Sequence, residues 1–322
     1  MSSGMEAMKI RGHHAAVLLA IFAFGAANVY AVDHRFLAVD ESRAQLHLVD
    51  QRNTNQSWTL KLPERCRDYQ LIGNKELLLS STTGYYVYSL TTRALVKQLH
   101  DQRFDGAASV RRLADGCTLL GCNQNGITLF ELGPDDAVLR TAKFPELNTL
   151  RLMRLSPTGT LLFGANGNLV IEADLTGKML ARFTLPEPAK HVYQILRLPN
   201  GNLLAAAGYG HYLAEIDPAG KIVKRIDGSS QPPETHPNFW CGYQVLKNGN
   251  TVMCNWTGHD ASDSTKAPQL IEFDSTGKLV WSWHNPTLAG TVHGVVVLDD
   301  LDTTVLNDDS SGTLTKTAPS QL

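Results

Sequence analysis

Glu215-Ile216-Asp217-Pro218-Ala219-Gly220-Lys221-Ile222-Val223 is one copy of a phrase that occurs twice more, as Glu172-Ala173-Asp174-Leu175-Thr176-Gly177-Lys178 and as Glu272-Phe273-Asp274-Ser275-Thr276-Gly277-Lys278-Leu279-Val280. Each copy reads as a strand end, a tight turn whose glycine is free to take positive φ, and a new strand, which is a β-hairpin. Weaker copies stand at Val49-Asp50-Gln51, Leu90-Thr91-Thr92 and Leu132-Gly133-Pro134-Asp135. The steps Leu90 to Leu132 and Leu132 to Asp174 are 42 residues, Asp174 to Asp217 is 43, and Asp217 to Asp274 is 57, a repeat carrying an insertion.

A second phrase lies upstream of each hairpin: Ala114-Asp115-Gly116-Cys117, Pro157-Thr158-Gly159-Thr160, Leu198-Pro199-Asn200-Gly201-Asn202 and Lys247-Asn248-Gly249-Asn250. Each repeat is therefore strand, turn, strand, loop, strand, turn, strand. Four short strands in a unit of this length are the signature of a β-propeller blade. Apolar residues alternate or run together, as in Leu77-Leu78-Leu79, and nowhere follow a helical period.

Blades are expected at about 65–100, 105–144, 148–185, 190–228 and 240–284. The segment from Phe36 to Leu62 supplies the later strands of a blade without its first, and His293-Gly294-Val295-Val296-Val297-Leu298 supplies a first strand without the rest. Pairing the two ends would close a six-bladed, all-β ring over residues 32–307 and remove its exposed edges. Either Phe36–Val39 or Thr303–Asn307 could provide the second strand of that shared blade. The Ser- and Thr-rich segment 308–322 reads as a disordered tail.

The chain has 322 residues, 43% of them hydrophobic, and a formal net charge of −2. That suffices for a large core and argues against a nucleic-acid partner. Lys9, Arg11, His13 and His14 precede the apolar run 15–27, and Asn28-Val29-Tyr30-Ala31 ends in small residues. The run is too short to span a bilayer, so residues 1–31 read as a signal peptide, with a periplasmic or secreted mature protein, no transmembrane segment after cleavage, and a monomeric ring. Five cysteines, Cys66, Cys117, Cys122, Cys241 and Cys254, follow. Cys117 and Cys122 face opposite sides of one strand and should not bridge. Cys254 aligns with Ser80, Gly121, Gly164 and Ala206 in a column of small residues.

Aligning Tyr69-Gln70, Tyr193-Gln194 and Tyr243-Gln244 places Arg67, His191 and Cys241 two residues earlier, with His293 and Asn148 in the same column of other blades. Starts of innermost strands ring the mouth of a propeller's channel, so these polar residues should converge. Loops into the first strand and from second to third strand open on that face. They carry His100, His191, His211, His236, His259, His284 and His293. Histidine suits acid–base work and metal ligation near neutral pH. His100 and His284 read as surface residues, and Trp281 and Trp283 as packing on an outer strand. Trp240 and Trp256 read as sugar-stacking platforms or loop anchors.

The run His191 to Leu204, with its Arg-Leu-Pro-Asn-Gly-Asn-Leu-Leu, the Glu-x-Asp-x-x-Gly-Lys turns and Val280-Trp281-Ser282-Trp283-His284 resemble bacterial secreted six-bladed propellers of the quinoprotein-like and arylsulfotransferase-like group. The likeness runs from about residue 65 to 307 and rests on blade motifs. Arylsulfotransferases of that group use a histidine nucleophile beside basic residues, for which His293 or His191 with Arg67 are the analogues here. A quinone cofactor implies eight blades, which disfavours one in this ring.

Three functions follow. The leading one is a small-molecule site, for a carbohydrate or its derivative, with His191 and His293 as acid–base pair and Arg67 holding an anionic or carbonyl group, in a lyase or hydrolase reaction. Asn148, Cys241, His211, His236, Trp240, Trp256 and His259 would line it. A second adds a divalent metal such as zinc on His191, His293 and Cys241 with His236 or His259. A third is a scaffold whose face docks a protein partner.

Overall fold

The computed structural model describes residues 32–316, and Met1 in isolation. The segment read as a signal peptide lies outside the described residues. Six four-stranded antiparallel sheets form the ring. Blades 1 to 5 span 69–100, 107–144, 153–184, 195–227 and 239–283, within a few residues of the repeats read from sequence. In blade 6 the inner strand Val292–Val297 pairs with Arg35–Asp40, and the strands Gln45–Asp50 and Trp58–Lys61 follow outward. Phe36–Val39 is thus the second strand, with Phe36 opposite Val297 and Leu37 opposite Val296.

Burial explains the strand types. Inner and middle strands are almost wholly buried on both faces, as in Glu76–Ser81 with its Leu77-Leu78-Leu79 and in Leu161–Ala165. Outer strands such as Leu95–His100 and Met179–Thr184 alternate between exposed and partly covered residues, because only one face meets a neighbouring blade. The column of small residues marks where the next blade comes closest: a Cβ on Gly164 would lie 2.2 Å from the carbonyl oxygen of Val192. Cys254 fills its place in that column as a buried, free thiol, and the other four cysteines are also free and buried.

Polar groups fasten each blade to the next along the channel. The Gln70 amide accepts from Arg112 N–H at 2.7 Å and donates to Arg112 C=O at 3.2 Å. Gln194 does the same for Tyr243, at 3.0 and 2.9 Å, and Gln244 for Val297, at 2.7 and 3.3 Å. Elsewhere Met153 N–H donates to Ser109 Oγ (2.9 Å), Leu152 N–H to Tyr193 C=O (3.0 Å), and Val295 N–H to Tyr69 Oη (2.9 Å). These six links, five through a side chain and one from backbone to backbone, close the circle.

At the centre, Asp68 meets Arg154 at 3.1 Å and Arg111 at 3.6 Å. Asp309 meets Arg154 at 2.9 Å and Arg111 at 3.5 Å from the other side. Arg154 and Asp68 are almost fully buried. The two carboxylates outweigh burial and hold the Arg154 guanidinium firmly protonated. Asp309 belongs to the segment expected to be a disordered tail. Instead, residues 308–316 fold back, with Asn307–Asp308 paired to Thr315–Lys316 and Leu314 packed on the apolar cluster around Leu37 and Tyr69. Composition missed this because the two ion pairs of Asp309 and the single apolar contact of Leu314, not an apolar run, hold the segment.

Arg154→Ala should cost about 3–5 kcal/mol, since it removes the closer partner of two carboxylates and leaves both to Arg111 alone. Asp309→Ala should cost less, because Asp68 still faces both arginines. Equilibrium urea unfolding checks this, and equal small losses in the two variants would show that the charges are not coupled to folding.

Candidate functional site

Strand register decides which residues ring the channel mouth. Tyr69 lies opposite Leu79, Tyr243 opposite Met253, Met153 opposite Phe163 and Ile195 opposite Ala205. Each of these partners directly precedes a member of the small-residue column, so Ile195, not Tyr193, is the equivalent of Tyr69 and Tyr243. Two residues earlier the column therefore reads Arg67, Ala108, Arg151, Tyr193 and Cys241 in blades 1 to 5. Asn148 and His191 are displaced outward. The shared Tyr-Gln pair misled the alignment because Gln194 fastens to the next blade from a place two residues nearer the mouth than Gln70 and Gln244 do.

Around this ring lies a continuous aromatic cluster. His293 stacks on Trp256 at 5.5 Å with 27° between planes and lies 5.7 Å from Tyr193. Tyr193 and Trp256 each meet Phe239 edge-on at 5.6 Å, Phe239 meets Tyr209 at 4.6 Å, and Tyr209 meets His191 at 5.9 Å. Tyr209 is exposed and Phe239 buried, so the cluster runs from rim to floor. Trp256 is oriented by Glu41, which accepts from its indole N–H at 3.3 Å and is itself held by Arg65 (3.1 Å) and His259 (3.3 Å).

His293 is 5% exposed, and its Nδ1 is sealed without a hydrogen-bond partner. Nε2 is the ring nitrogen left to a ligand. The Tyr193 hydroxyl is likewise buried and unpartnered, whereas Tyr69 accepts from Val295 N–H and Tyr243 donates to Leu204 C=O. Burial, then Arg67 and Arg151, hold His293 well below the ordinary histidine range, so it is neutral near pH 7. Arg151 is itself lowered by burial and by Arg67, and its nearest polar side-chain contact is His191 Nδ1 at 3.4 Å. Among the described residues neither Arg67 nor Arg151 has a carboxylate partner, whereas Arg65 is paired with Glu41. Two arginines without carboxylate partners thus stand beside two orphaned polar atoms.

The remaining residues expected here fall elsewhere. Trp240 is fully buried against Phe273 and is core, not a platform. The Cys241 thiol is buried 3.4 Å from the Cys254 carbonyl oxygen. Asn148 is exposed on the rim, where its side chain accepts from Thr149. His211 is half-buried at the edge facing Gly228, and burial lowers its pKa. His236 is exposed in a left-handed turn. His259 meets Trp256 edge-on at 4.7 Å with its side chain largely in solvent. No group of three or more His, Cys, Asp or Glu that could hold a metal occurs among the described residues, so the proposed zinc ligands His191, His293, Cys241 and His236 do not gather. Arg151, Tyr193, Tyr209 and Phe239 were missed. Counting back six residues from Pro157, Pro199 and Lys247 in the glycine turns finds Arg151, Tyr193 and Cys241 at once.

The chain is a six-bladed β-propeller. No protein-family profile matches the sequence, and no curated protein matches it. Solved structures do. A Bacteroides caccae protein of unknown function is 21% identical, with a TM-score of 0.69 over 82% of this chain and 98% of that one. A catalytically inactive His-to-Ala variant of Staphylococcus aureus virginiamycin B lyase with quinupristin is 12% identical, with a TM-score of 0.55 over 78% and 84%. The WD40 propeller domain of Doa1 is 17% identical, with a TM-score of 0.52 over 68% and 71%. At these identities the likeness is one of fold.

A histidine whose pKa is lower folded than unfolded binds its proton more readily in the unfolded chain. His293 therefore contributes stability that is complete above about pH 6.5 and is lost as pH falls below it. The melting temperature of His293→Asn should fall less steeply than that of the wild type from pH 7 to 5. Arg151→Ala should raise the His293 midpoint seen by NMR, and an unmoved midpoint would mean that the arginine does not act on this imidazole. His34 is a separate case of opposite sign: burial opposes its charge, but Glu272 (2.8 Å) and Asp299 (2.6 Å) outweigh that and raise its pKa.

Proposed function

We propose that the mouth binds an acidic small molecule, a carboxylated carbohydrate derivative, and that the protein is a lyase. The observation that carries this reading is the pairing of Arg67 and Arg151, without carboxylate partners, with two buried polar atoms that lack partners, His293 Nδ1 and Tyr193 Oη. The arginines would hold the acid group and the negative charge that develops beside it. Neutral His293, through Nε2, would take the proton from the adjacent carbon, and the C–H electrons would form the new double bond. The bond to the leaving oxygen would break as the Tyr193 hydroxyl donates its proton.

The roles differ from those drawn from sequence. His293 keeps the part of base, Tyr193 replaces His191 as acid, and His191 becomes a neighbour of Arg151. Tyr209, exposed at the rim with Phe239 and Trp256 packed behind it, offers a flat apolar surface of the kind that sugar rings stack on. A structural neighbour named as a lyase, in which a histidine-to-alanine change leaves the enzyme inactive, is in keeping with this chemistry. The apolar run 15–27 behind a basic start argues for action in the periplasm or outside the cell.

Oligouronates and sulfate esters should be tested by thermal shift and, for the former, by ultraviolet detection of an unsaturated product. His293→Ala should lower kcat by about 10²–10⁴-fold with little loss of binding, and Arg67→Ala with Arg151→Ala should raise KM. If the double variant binds as tightly as the wild type, the anion site is not at the mouth. Ligands that shift neither protein would favour the protein-docking scaffold instead.

A further inference from the structure

On the face opposite the mouth, a cleft of about 470 Å³ separates blade 6 from blade 1. Its walls carry three cations, Arg35, Lys75 and Arg93, with Trp58, Gln56 and Thr91 between them. Arg35 lies 3.6 Å from Asp50 and is largely exposed. Lys75 and Arg93 are exposed and, among the described residues, have no carboxylate partner.

The backbone beneath two of these cations is the second observation. Lys75 ends the short turn between the first two strands of blade 1 with φ 57°, and Arg93 occupies the turn between its last two strands with φ 63°. At the corresponding inner turns blades 2 to 5 place Gly116, Gly159, Gly201 and Gly249 at positive φ. At the outer turns blades 3 to 5 place Gly177, Gly220 and Gly277 there. The residue after each of these outer glycines returns its carbonyl to the turn's first N–H, as Ala94 does for Ser89. Blade 1 thus places a long cationic side chain at two left-handed positions lining the cleft, where blades 3 to 5 have glycine at both and blade 2 has Gly116 at the inner turn and Asp136 (φ 66°) at the outer one. Asn74 N–H and Lys75 N–H donate to Thr304 and Thr303 C=O at 3.1 and 2.8 Å, which fixes the base of the Lys75 side chain at the cleft.

We propose that this cleft is a second binding site, for an acidic saccharide segment, independent of the mouth. Cations at Arg35, Lys75 and Arg93 would meet carboxylate or sulfate groups, the indole of half-buried Trp58 would cover a sugar face, and Gln56 and Thr91 would bond hydroxyls. A purely electrostatic surface would have no use for the aromatic and amide groups among the charges.

Isothermal titration with a galacturonate trisaccharide and a sulfated disaccharide tests this, in an Arg67→Ala, Arg151→Ala background that silences the mouth. One molecule should bind per chain, weakening as salt is raised. Lys75→Gly with Arg93→Gly suits both backbone positions, so its melting temperature should be unchanged or higher while affinity falls roughly tenfold or more. Trp58→Ala should weaken the saccharides and leave inorganic sulfate unaffected. Unchanged affinity in the double glycine variant overturns the proposal. Equal affinity for sulfate and for the saccharides, or tighter binding of an oligonucleotide, overturns the saccharide assignment. Loss of activity at the mouth alone would leave all of these results in place.

Discussion

The ring is tied together at its centre by four largely buried charges. Asp68 and Asp309 face Arg111 and Arg154 across the axis, and Asp68 also accepts from Ser109 Oγ and from Val110 N–H. Three blades and the C-terminal segment thus share one polar knot. Buried ions gain little net stability over an apolar core, but their geometry tolerates few alternatives. The quartet fixes blades 1, 2 and 3 relative to one another, and with them the heights of Arg67 and Arg151 at the mouth.

That geometry sets the electrostatics of the site. Arg67 directly precedes Asp68, and Arg151 stands three residues before Arg154, so the strands that carry the knot also carry the unpaired cations. The carboxylates are consumed at the centre and leave the rim positive, with Glu41 as the counter-charge tied to Trp256 and His259. A histidine placed under such a rim stays neutral near pH 7 because burial and two guanidinium groups act in the same direction.

The sequence made the architecture legible because blade turns are chemical punctuation. Asp-x-x-Gly-Lys and Asn-Gly-Asn spell the same hairpins wherever they occur, and register follows from them. His293, Arg67 and Trp256 were placed at the mouth for the same reason. What stayed hidden depended on side-chain choices between blades. Gln194 reaches the backbone of Tyr243 from a different height than Gln70 reaches Arg112, so a two-letter match put His191 in the column that belongs to Tyr193. Trp240 reads like Trp256 in the sequence, yet the two stand on adjacent strands and pack apart, one against Phe273 and the other against His293. The segment after Asn307 is polar because it enters a polar channel, and composition alone reads that as disorder.

The pairing of Arg35–Asp40 with Val292–Val297 has a consequence in time. The first strand to be synthesised cannot find its inner partner until more than 250 further residues exist, and Asp309 can reach the arginines only after that. Until then blade 6 keeps an open edge, the kind of surface on which unfinished β chains associate. Folding of so non-local a ring is slow, and its last steps are the ones that set the central charges. The molecule therefore completes its mouth at the moment Arg35–Asp40 gains its inner partner.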